Sequence, residues 1–287
     1  MLESKEVTNH WEWEINGRTR YWGLNLHELW HYRHLSLSLV RRDFLLNYQQ
    51  TVLGPFWLLV QPILTLGTYV LVFNKLIGVS TGSLPPVLFY LSGIVLWNFF
   101  NDTFMGTSFI FRENAQLFSK VYFPRLIIPI SQMGTQIFRF GIQFTLLLAM
   151  LAFYALFKNY TLPTSFLAVT IPVVIILVGL TGLSLGLIFS VVTAKYRDII
   201  NLVTFGVRLL MFLTPVLYPV NYVPENVRWV VQFNPLTSYF ELFRRALLGQ
   251  GVISPESLGY SLAFTLILLV ISIGIFNKQG DKLIDVV

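Results

Sequence analysis

The chain has 287 residues, of which 55% are hydrophobic, 16% aromatic and only 12% charged, and its mean hydropathy is +0.65. Soluble domains carry about 25% charged residues, so this composition excludes an ordinary globular domain and indicates several long apolar segments. The formal charge of +6 does not predict nucleic-acid binding, because the basic residues are scattered between apolar runs and form no basic stripe.

The N-terminal segment contains a pattern typical of zinc proteases. His27, Glu28 and His31 form HExxH, in which two histidines one turn apart bind zinc and the glutamate activates water. The extended form of this motif needs glycine and then histidine where the chain has His34 and Leu37. No histidine follows His34 and no cysteine is present, so we expect neither a metal site nor thiol chemistry.

Residues 26–48 are predicted to form an amphipathic helix that lies in the cytoplasmic membrane interface. Its apolar face is formed by Leu26, Leu29, Trp30, Leu37, Val40, Phe44 and Tyr48. The opposite, polar stripe is formed by His27, Glu28, His31, His34, Ser38, Arg41 and Arg42. The residues with a predicted role in this interface helix are Trp30, Arg41, Arg42 and Asp43.

Six segments approach or exceed the length of about 20 apolar residues that a membrane helix needs. They are 55–77, 87–111, 126–157, 166–192, 199–220 and 258–276. We therefore predict an all-α integral membrane protein, with an N-terminal segment (1–53) and a six-span domain (54–287). Lysine and arginine are concentrated on the side that holds both termini, so the positive-inside rule places the termini in the cytoplasm.

Three charged residues, Asp102, Arg139 and Arg208, fall inside predicted spans. Charges in the bilayer are costly and usually face a bundle interior or an aqueous cavity. They therefore indicate either a functional site or a structural Asp–Arg pair that locks spans together. Gly182 and Gly186 form GxxxG in the fourth span, and we expect them to allow close helix packing within the subunit.

The connection between the fifth and sixth predicted spans contains two short helices that begin at Pro224 and Pro235. Their length suits re-entrant or interfacial helices on the outer side, with an ordinary loop as the alternative. The second helix places one apolar face at Leu236, Tyr239, Phe240, Phe243 and Leu247. The predicted outer gate comprises Tyr218, Tyr222, Tyr239, Phe240, Arg244 and Arg245. Its two arginines either attract an anionic lipid headgroup or anchor the helix in the interface.

Several segments resemble the ABC-2 type transporter permeases, the membrane subunits of ABC exporters for O-antigen, teichoic acid and related cell-surface polysaccharides. They are LVRRDFLLNYQQTVLGPFWLLVQPIL (39–64), ENAQLFSKVYFPRLIIPIS (113–131), AKYRDI (194–199) and the stretch from TPVLYP to RRALL (214–248). These segments occur in the order found in the family, and SKVYFPR and TPVLYP with NPL are the most specific of them.

The resemblance implies a homodimer of six-span subunits around a central path, joined to two copies of a separate ATPase that uses ATP and Mg²⁺. It also implies that a short helix at 114–122, closed by a proline, couples to that ATPase, whereas a basic membrane anchor is the alternative. The coupling residues are Asn114, Ala115, Gln116, Leu117, Lys120, Tyr122, Phe123, Pro124 and Arg125. The second cytoplasmic loop places Tyr196, Arg197 and Asp198 near the same partner or near the N-terminal helix.

A polysaccharide path is expected to be lined by aromatic rings, whose flat apolar faces stack on sugars. The candidates in the first two spans are Trp57, Tyr69, Phe73, Tyr90, Trp97, Phe99 and Phe100. The chain has neither a GxxxxGK[ST] phosphate loop nor a GxSxG nucleophile elbow, so we expect no ATPase activity or covalent catalysis of its own.

We therefore expect the membrane subunit of an ATP-driven exporter of a lipid-linked polysaccharide in the bacterial cytoplasmic (inner) membrane. Two alternatives stay open. The same kind of permease could export a drug or a lipid, or the chain could be an integral membrane enzyme such as a zinc protease or a lipid-sugar transferase.

Overall fold

The computed structural model describes residues 26–120, 123–160, 167–196 and 198–283, and regular structure within these ranges is helical throughout. The helices at the N-terminal half are α1 (Leu26–His31), α2 (Arg33–Tyr48), α3 (Trp57–Tyr69), α4 (Pro86–Ser108), α5 (Ile110–Glu113) and α6 (Ala115–Lys120). They are followed by α7 (Ile127–Phe157), α8 (Leu167–Lys195), α9 (Ile199–Leu213), α10 (Glu225–Phe233), α11 (Pro235–Leu248) and α12 (Pro255–Leu283).

Four helical segments in the described ranges are long and apolar enough to cross a membrane, whereas the sequence predicts six spans. They are Gly54–Leu76, Ile127–Phe157, Val169–Lys195 and Pro255–Gln279. The predicted fifth span is helical for only 15 residues, because α9 ends where Thr214 becomes extended before Pro215. The all-helical fold class is confirmed for the described residues, and the count of six spans stays a prediction.

The predicted second span corresponds to α4, which forms the centre of the bundle. It packs against α3, α7, α8 and α11, and most of its 23 residues are buried. Because neighbouring helices surround it, α4 can carry Asn98, Asn101 and Asp102, which would be costly on a surface that faces lipid. This central position explains why α4 is less apolar than the spans around it.

Two glycines of α8 allow its close approach to α4. A Cβ atom at Gly186 would lie 2.4 Å from Cβ of Thr107, and one at Gly182 would lie 3.1 Å from the carbonyl oxygen of Phe100. Further along the same contact, Thr193 Oγ1 donates a hydrogen bond of 2.6 Å to the carbonyl oxygen of Ser108. The structure therefore confirms that the GxxxG pair serves packing within the subunit.

The predicted interface helix is interrupted at Tyr32, so that α1 and α2 are separate helices. α2 lies along α7 and contributes Leu39, which is only 6% exposed, to the bundle core. The predicted apolar face omits Leu39, whereas Trp30 and Leu37 belong to it and lie on the open surface, 70% and 64% exposed. α2 carries two apolar strips, one against the bundle and one on the open surface, which a single-face pattern does not describe.

The first span is irregular at both ends. A 3₁₀ turn over Gly54–Phe56 precedes α3, and a π-helical turn over Val70–Leu76 follows it. In that π turn the backbone N–H of Ile77 donates to the carbonyl oxygen of Val72 at 2.9 Å.

Helices α10 and α11 form the connection between α9 and α12, close to the predicted positions. Asn234 caps α11 by accepting a hydrogen bond of 3.0 Å from the backbone N–H of Leu236. Gly249, with φ of 75°, ends the helix in the left-handed conformation that favours glycine. The whole predicted apolar face of α11 is buried against α4, α8 and α12, which confirms that face.

Candidate functional site

A polar cavity of about 940 Å³ lies between α2, α4, α5, α6 and α7. The charged residues that line it are Arg42, Asp43, Asp102, Arg112, Glu113 and Arg139. Amide side chains add Asn47, Asn114, Gln116, Gln132 and Gln136. We call this space the α2 cavity. It brings together three groups that the sequence predicts separately: the interface helix, the start of the coupling segment and two of the intramembrane charges.

Arg42 joins the interface helix to the coupling segment at the edge of this cavity. Its Nε and Nη2 atoms lie 2.8 and 2.7 Å from Oδ1 of Asp43. Nη2 also donates a hydrogen bond of 3.2 Å to Oδ1 of Asn114, the residue between α5 and α6. The predicted interface residue Arg41 is exposed and does not line the cavity.

Arg139 lies on α7 at the wall of the cavity. Its guanidinium stands over the ring of Tyr48 at 5.6 Å, and Nη1 donates a long hydrogen bond of 3.4 Å to Oε1 of Gln136. The Nε atom is buried and has no hydrogen-bond partner. Asp102 faces the same cavity and accepts a hydrogen bond of 2.9 Å from Asn101. Asp102 and Arg139 form no direct ion pair among the contacts of the described residues, although both charges face the same cavity.

A line of polar side chains continues from the cavity along α7. Gln132, Gln136, Arg139 and Gln143 recur at intervals of four, three and four residues and thus share one face. At the far end of this line, Asn98 on α4 donates a hydrogen bond of 3.2 Å to Oε1 of Gln143. Of these four residues, only Arg139 is predicted from the sequence as a candidate site residue. The helical spacing of the three glutamines was the signal that could have revealed the others.

Close contact between α4 and α7 at this line depends on a glycine. A Cβ atom at Gly106 would lie 2.1 Å from Nε2 of Gln132, the terminal atom of a flexible side chain. Any larger residue at Gly106 would therefore move Gln132 and change the shape of the α2 cavity.

The pKa of Glu113 at the mouth of the cavity is raised above its usual value. Partial burial is the main cause, the nearby carboxylate of Asp43 raises the pKa further, and Arg112 acts in the opposite direction. The pKa of Tyr48 is also raised by burial, against the lowering effect of Arg139. The cavity therefore combines cations, acids and amides in a partly desolvated space.

The predicted coupling segment forms two short helices, α5 and α6, and Asn114 lies at their junction. Ala115, Gln116 and Leu117 line the cavity, whereas Phe123 is buried in a second core cluster, with its ring stacked 6.2 Å from Phe118. Pro124 and Arg125 follow at intermediate exposure. Tyr122 and the side chain of Lys120 lie outside the described residues. The coupling role of this segment stays a prediction.

Tyr196 and Asp198, from the predicted second loop, are both exposed, and Arg197 lies outside the described residues. Nζ of Lys195 stands 5.2 Å from the centroid of the Tyr196 ring. His27 and His31 of the zinc-protease pattern are exposed on α1. In the part of the chain that the structure describes, no group of three His, Asp or Glu residues could hold a metal ion.

The aromatic residues predicted to line a conduit divide into two groups. Tyr90, Trp97, Phe99 and Phe100 are buried in the core around α4, so they offer no surface to a passing chain in this conformation. Tyr69 and Phe73 are half-buried against that core, with their rings 5.8 Å apart. Trp57 is exposed on α3. The aromatic pattern could not distinguish a central helix from one that faces an open path.

The interpretation of Arg244 as an outward anion site is wrong. Arg244 is 2% exposed, and its guanidinium lies 3.9 Å from the centroid of the Phe89 ring. Its Nη1 and Nη2 atoms donate hydrogen bonds of 2.5 and 3.2 Å to the carbonyl oxygens of Pro215 and Val216. Nη1 is also 3.5 Å from Oε1 of the buried Glu241. Arg244 instead fixes α11 to α4 and to the turn after α9.

The other predicted gate residues also differ in exposure. Tyr239 is fully buried, and its hydroxyl makes a hydrogen bond of 2.8 Å with Oγ1 of Thr265, while Phe240 is buried beside it. Tyr222 and Arg245 are exposed. Tyr218 is half-buried and donates to the carbonyl oxygen of Phe212 at 2.7 Å. Tyr239 and Phe240 therefore belong to the core in this conformation, whereas Tyr222 and Arg245 are open to the surroundings.

Arg208, the third intramembrane charge, is exposed on α9. It shares one face of that helix with Phe205 and Phe212, which are exposed as well. The three intramembrane charges therefore do not form one group, because Asp102 and Arg139 line the α2 cavity and Arg208 lies on a free helix face.

Comparison of the amino-acid sequence with known proteins identifies the family of this chain. Residues 35–248 match the family model described as ABC-2 type transporter. The O-antigen export system permease protein RfbA of Klebsiella pneumoniae is 27% identical over 88% of this chain and 94% of the relative. RfbA of Myxococcus xanthus is 26% identical over 89% and 96%. The polysialic acid transport protein KpsM of Escherichia coli is 21% identical over 86% and 94%. The chain belongs to the ABC-2 type transporter family.

Proposed function

We propose that the chain is the membrane subunit of an ATP-driven exporter that moves a lipid-linked cell-surface polysaccharide across the bacterial cytoplasmic membrane. The observation that carries this proposal is the similarity, along most of the chain, to permeases named for O-antigen export and to a polysialic acid transport protein. The family match supports a transport subunit and gives no support to a protease or a transferase.

Energy comes from a separate ATPase subunit, which binds the ATP and Mg²⁺. The chain itself has no phosphate-binding loop. Residues 114–125 dock on this partner, and the hydrogen bond between Arg42 and Asn114 connects the docking segment to the interface helix. A movement of the ATPase would then reach the α2 cavity through two directly bonded side chains.

The orientation in the membrane follows from the distribution of lysine and arginine. Both termini and the α2 cavity face the cytoplasm, and α10 and α11 face outward as re-entrant helices. In this topology α4 and α9 complete six spans.

The functional unit is a homodimer, and the exposed face of α9 supports this. An arginine that faces lipid at mid-membrane is costly, so Arg208 must face protein or a water-filled path. Single cysteines in place of Phe205 and Phe212 test the contact, since the natural chain has no cysteine. We expect oxidation in membranes to yield crosslinked dimers. If neither position crosslinks, whereas exposed Ile267 of α12 does when replaced by cysteine, α9 is not at the subunit contact.

Deletion of the gene in its host, followed by complementation, tests the proposed function. We expect deletion to remove the surface polysaccharide and to accumulate its lipid-linked form inside the cell, and the intact gene to restore export. Normal surface polysaccharide in the deletion strain, together with sensitivity to a drug that the wild type expels, would favour drug export and contradict the proposal.

A further inference from the structure

The α2 cavity contains a guanidinium group whose hydrogen-bonding capacity is only partly used. Arginine offers five N–H donors, yet Arg139 makes one long bond of 3.4 Å to Gln136, and its buried Nε has no partner. A buried donor without a partner is costly unless a ligand or water completes it. The ring of Tyr48 supports the guanidinium from one side and leaves its edge available to an anionic oxygen.

The same cavity also contains carboxylate groups, which would repel a ligand that is only an anion. Asp102, Asp43 and Glu113 all line it beside the arginines. A free phosphate near Arg139 would be repelled by the carboxylate of Asp102, because both groups are anionic. A ligand that suits both charges must present hydroxyl donors together with an anionic oxygen. Gln132 and Gln136 add amides, which can donate to and accept from hydroxyl groups.

The position of the cavity suits a ligand that arrives from the membrane surface. The volume of about 940 Å³ lies in the range of pockets for small organic ligands. Leu46, on the open side of α2, lines it and is 60% exposed, which gives the opening an apolar edge. A polar headgroup could thus enter the cavity while an attached lipid chain stays in the bilayer.

We propose that the α2 cavity binds a phosphorylated sugar, with Arg139 contacting the phosphate and with Asp102, Gln132 and Gln136 contacting sugar hydroxyls. This assignment rests on the proposed function, because a lipid-linked polysaccharide has a phosphorylated sugar at the junction between its glycan and its lipid. The site is separate from the exposed face of α9, where we place the contact between subunits. The α2 cavity would therefore bind the sugar-phosphate headgroup outside any path that the glycan follows between subunits.

The test uses the full permease with its ATPase partner in lipid nanodiscs and three defined probes. Farnesyl-diphospho-N-acetylglucosamine carries lipid, phosphate and sugar. UDP-N-acetylglucosamine lacks the lipid, and farnesyl diphosphate lacks the sugar. Affinities are measured for the wild type, for Arg139→Gln and Asp102→Asn, and for Lys158→Gln as control. Lys158 ends the same helix as Arg139 but lies outside the cavity.

We expect the lipid-linked sugar to bind and each cavity variant to weaken it about tenfold or more, with the control unchanged. Competition by UDP-N-acetylglucosamine would show that soluble sugar phosphates also use the site, and its failure would restrict the source to lipid; both outcomes support the site. Equal affinity for farnesyl diphosphate, or normal binding by both cavity variants, would overturn the proposal.

A second measurement keeps the test decisive if Arg139→Gln fails to fold. Asn47→Cys places the single thiol of the chain at the cavity, and an impermeant maleimide labels it. The lipid-linked sugar should slow labelling, whereas farnesol should not. Labelling that the lipid-linked sugar leaves unchanged, both with and without the ATPase partner, would overturn the proposal. Normal export by a strain that carries Arg139→Gln would contradict the proposed sugar-phosphate site. It would not contradict the assignment of the chain as an exporter subunit.

Discussion

Arg42 of α2 donates a hydrogen bond of 3.2 Å to the side-chain oxygen of Asn114, which lies 72 residues further along the chain. Asn114 separates α5 from α6 and also donates from Nδ2 to the carbonyl oxygen of Ile110 at 3.3 Å. The interface helix and the predicted coupling segment are therefore directly joined at the wall of the α2 cavity. We expect this contact to transmit movement of the proposed ATPase partner from the coupling segment to the interface helix.

The first prediction concerns this bond. Arg42→Ala and Asn114→Ala should each lower substrate-stimulated ATP turnover by the complex, and the double variant should be no worse than the more damaging single one, because both remove the same contact. Arg33→Ala, which removes an exposed arginine of α2 away from the cavity, is the control. Fully additive losses in the double variant would show that the two residues act independently.

The second prediction concerns docking of the ATPase. Charge reversal by Lys120→Glu or Arg125→Glu should lower recovery of the ATPase with the purified permease, while the amount of permease in the membrane stays the same. Single cysteines along 114–125 should crosslink to the partner. If none of them crosslinks, whereas cysteines at the exposed Tyr196 and Asp198 do, the docking site is the second loop.

The third prediction distinguishes the neighbouring arginines of α11. Arg244→Ala removes a buried guanidinium from Glu241 and from two carbonyl oxygens, so it should destabilise the fold by about 3 kcal/mol or more. Arg245→Ala removes an exposed side chain and should change stability by no more than about 0.5 kcal/mol. Thermal unfolding of the detergent-purified variants measures both. Similar melting temperatures for the two would contradict the buried position of Arg244.

The fourth prediction concerns the contact between α4 and α8. Gly186→Ala introduces a methyl group 2.4 Å from Cβ of Thr107 and should destabilise the fold by about 1–3 kcal/mol. The matched control is Gly141→Ala on α7, where no atom lies within 4 Å of the added Cβ. The control should be neutral or more stable by up to about 1 kcal/mol, because alanine favours helix over glycine. Equal effects on the unfolding temperature would exclude close packing at Gly186.

Features with a local cause were predictable from the sequence. The apolar face of α11 follows from helical spacing, and the ends of that helix follow from the cap at Asn234 and the glycine at 249. The packing of Gly182 and Gly186 was also predictable, since small residues four apart allow two helices to approach. The helical class required only the length and hydropathy of the apolar runs.

Features that depend on which helix is central were not predictable from one sequence. Aromatic residues of α4 have the same pattern whether they line a path or fill a core, and Phe99 and Phe100 fill the core. The sequence predicts Arg244 and Arg245 together as outward residues, because arginine is mostly exposed and the pattern does not show which of the two is buried. The acceptors of Arg244, at Pro215 and Val216, lie 29 and 28 residues away, and only the fold brings them together.

The α2 cavity was missed for a related reason. Its walls come from five helices, and its polar surface includes Gln132 and Gln136, which the sequence pattern does not distinguish from other polar residues. The position of α2 against α7 determines which residues share the cavity, and that position depends on Leu39, a residue outside the predicted apolar face.

Reconstituted transport tests the central claim most directly. The permease and its ATPase are placed together in lipid vesicles, and movement of a fluorescent lipid-linked polysaccharide from the ATPase side to the opposite side is followed after ATP is added. We predict movement that requires ATP, Mg²⁺ and both proteins, and that is lost in Arg139→Gln but not in Lys158→Gln. If the complete complex hydrolyses ATP and moves no polysaccharide, while it moves an unrelated lipid or drug, the assignment as a polysaccharide exporter is contradicted.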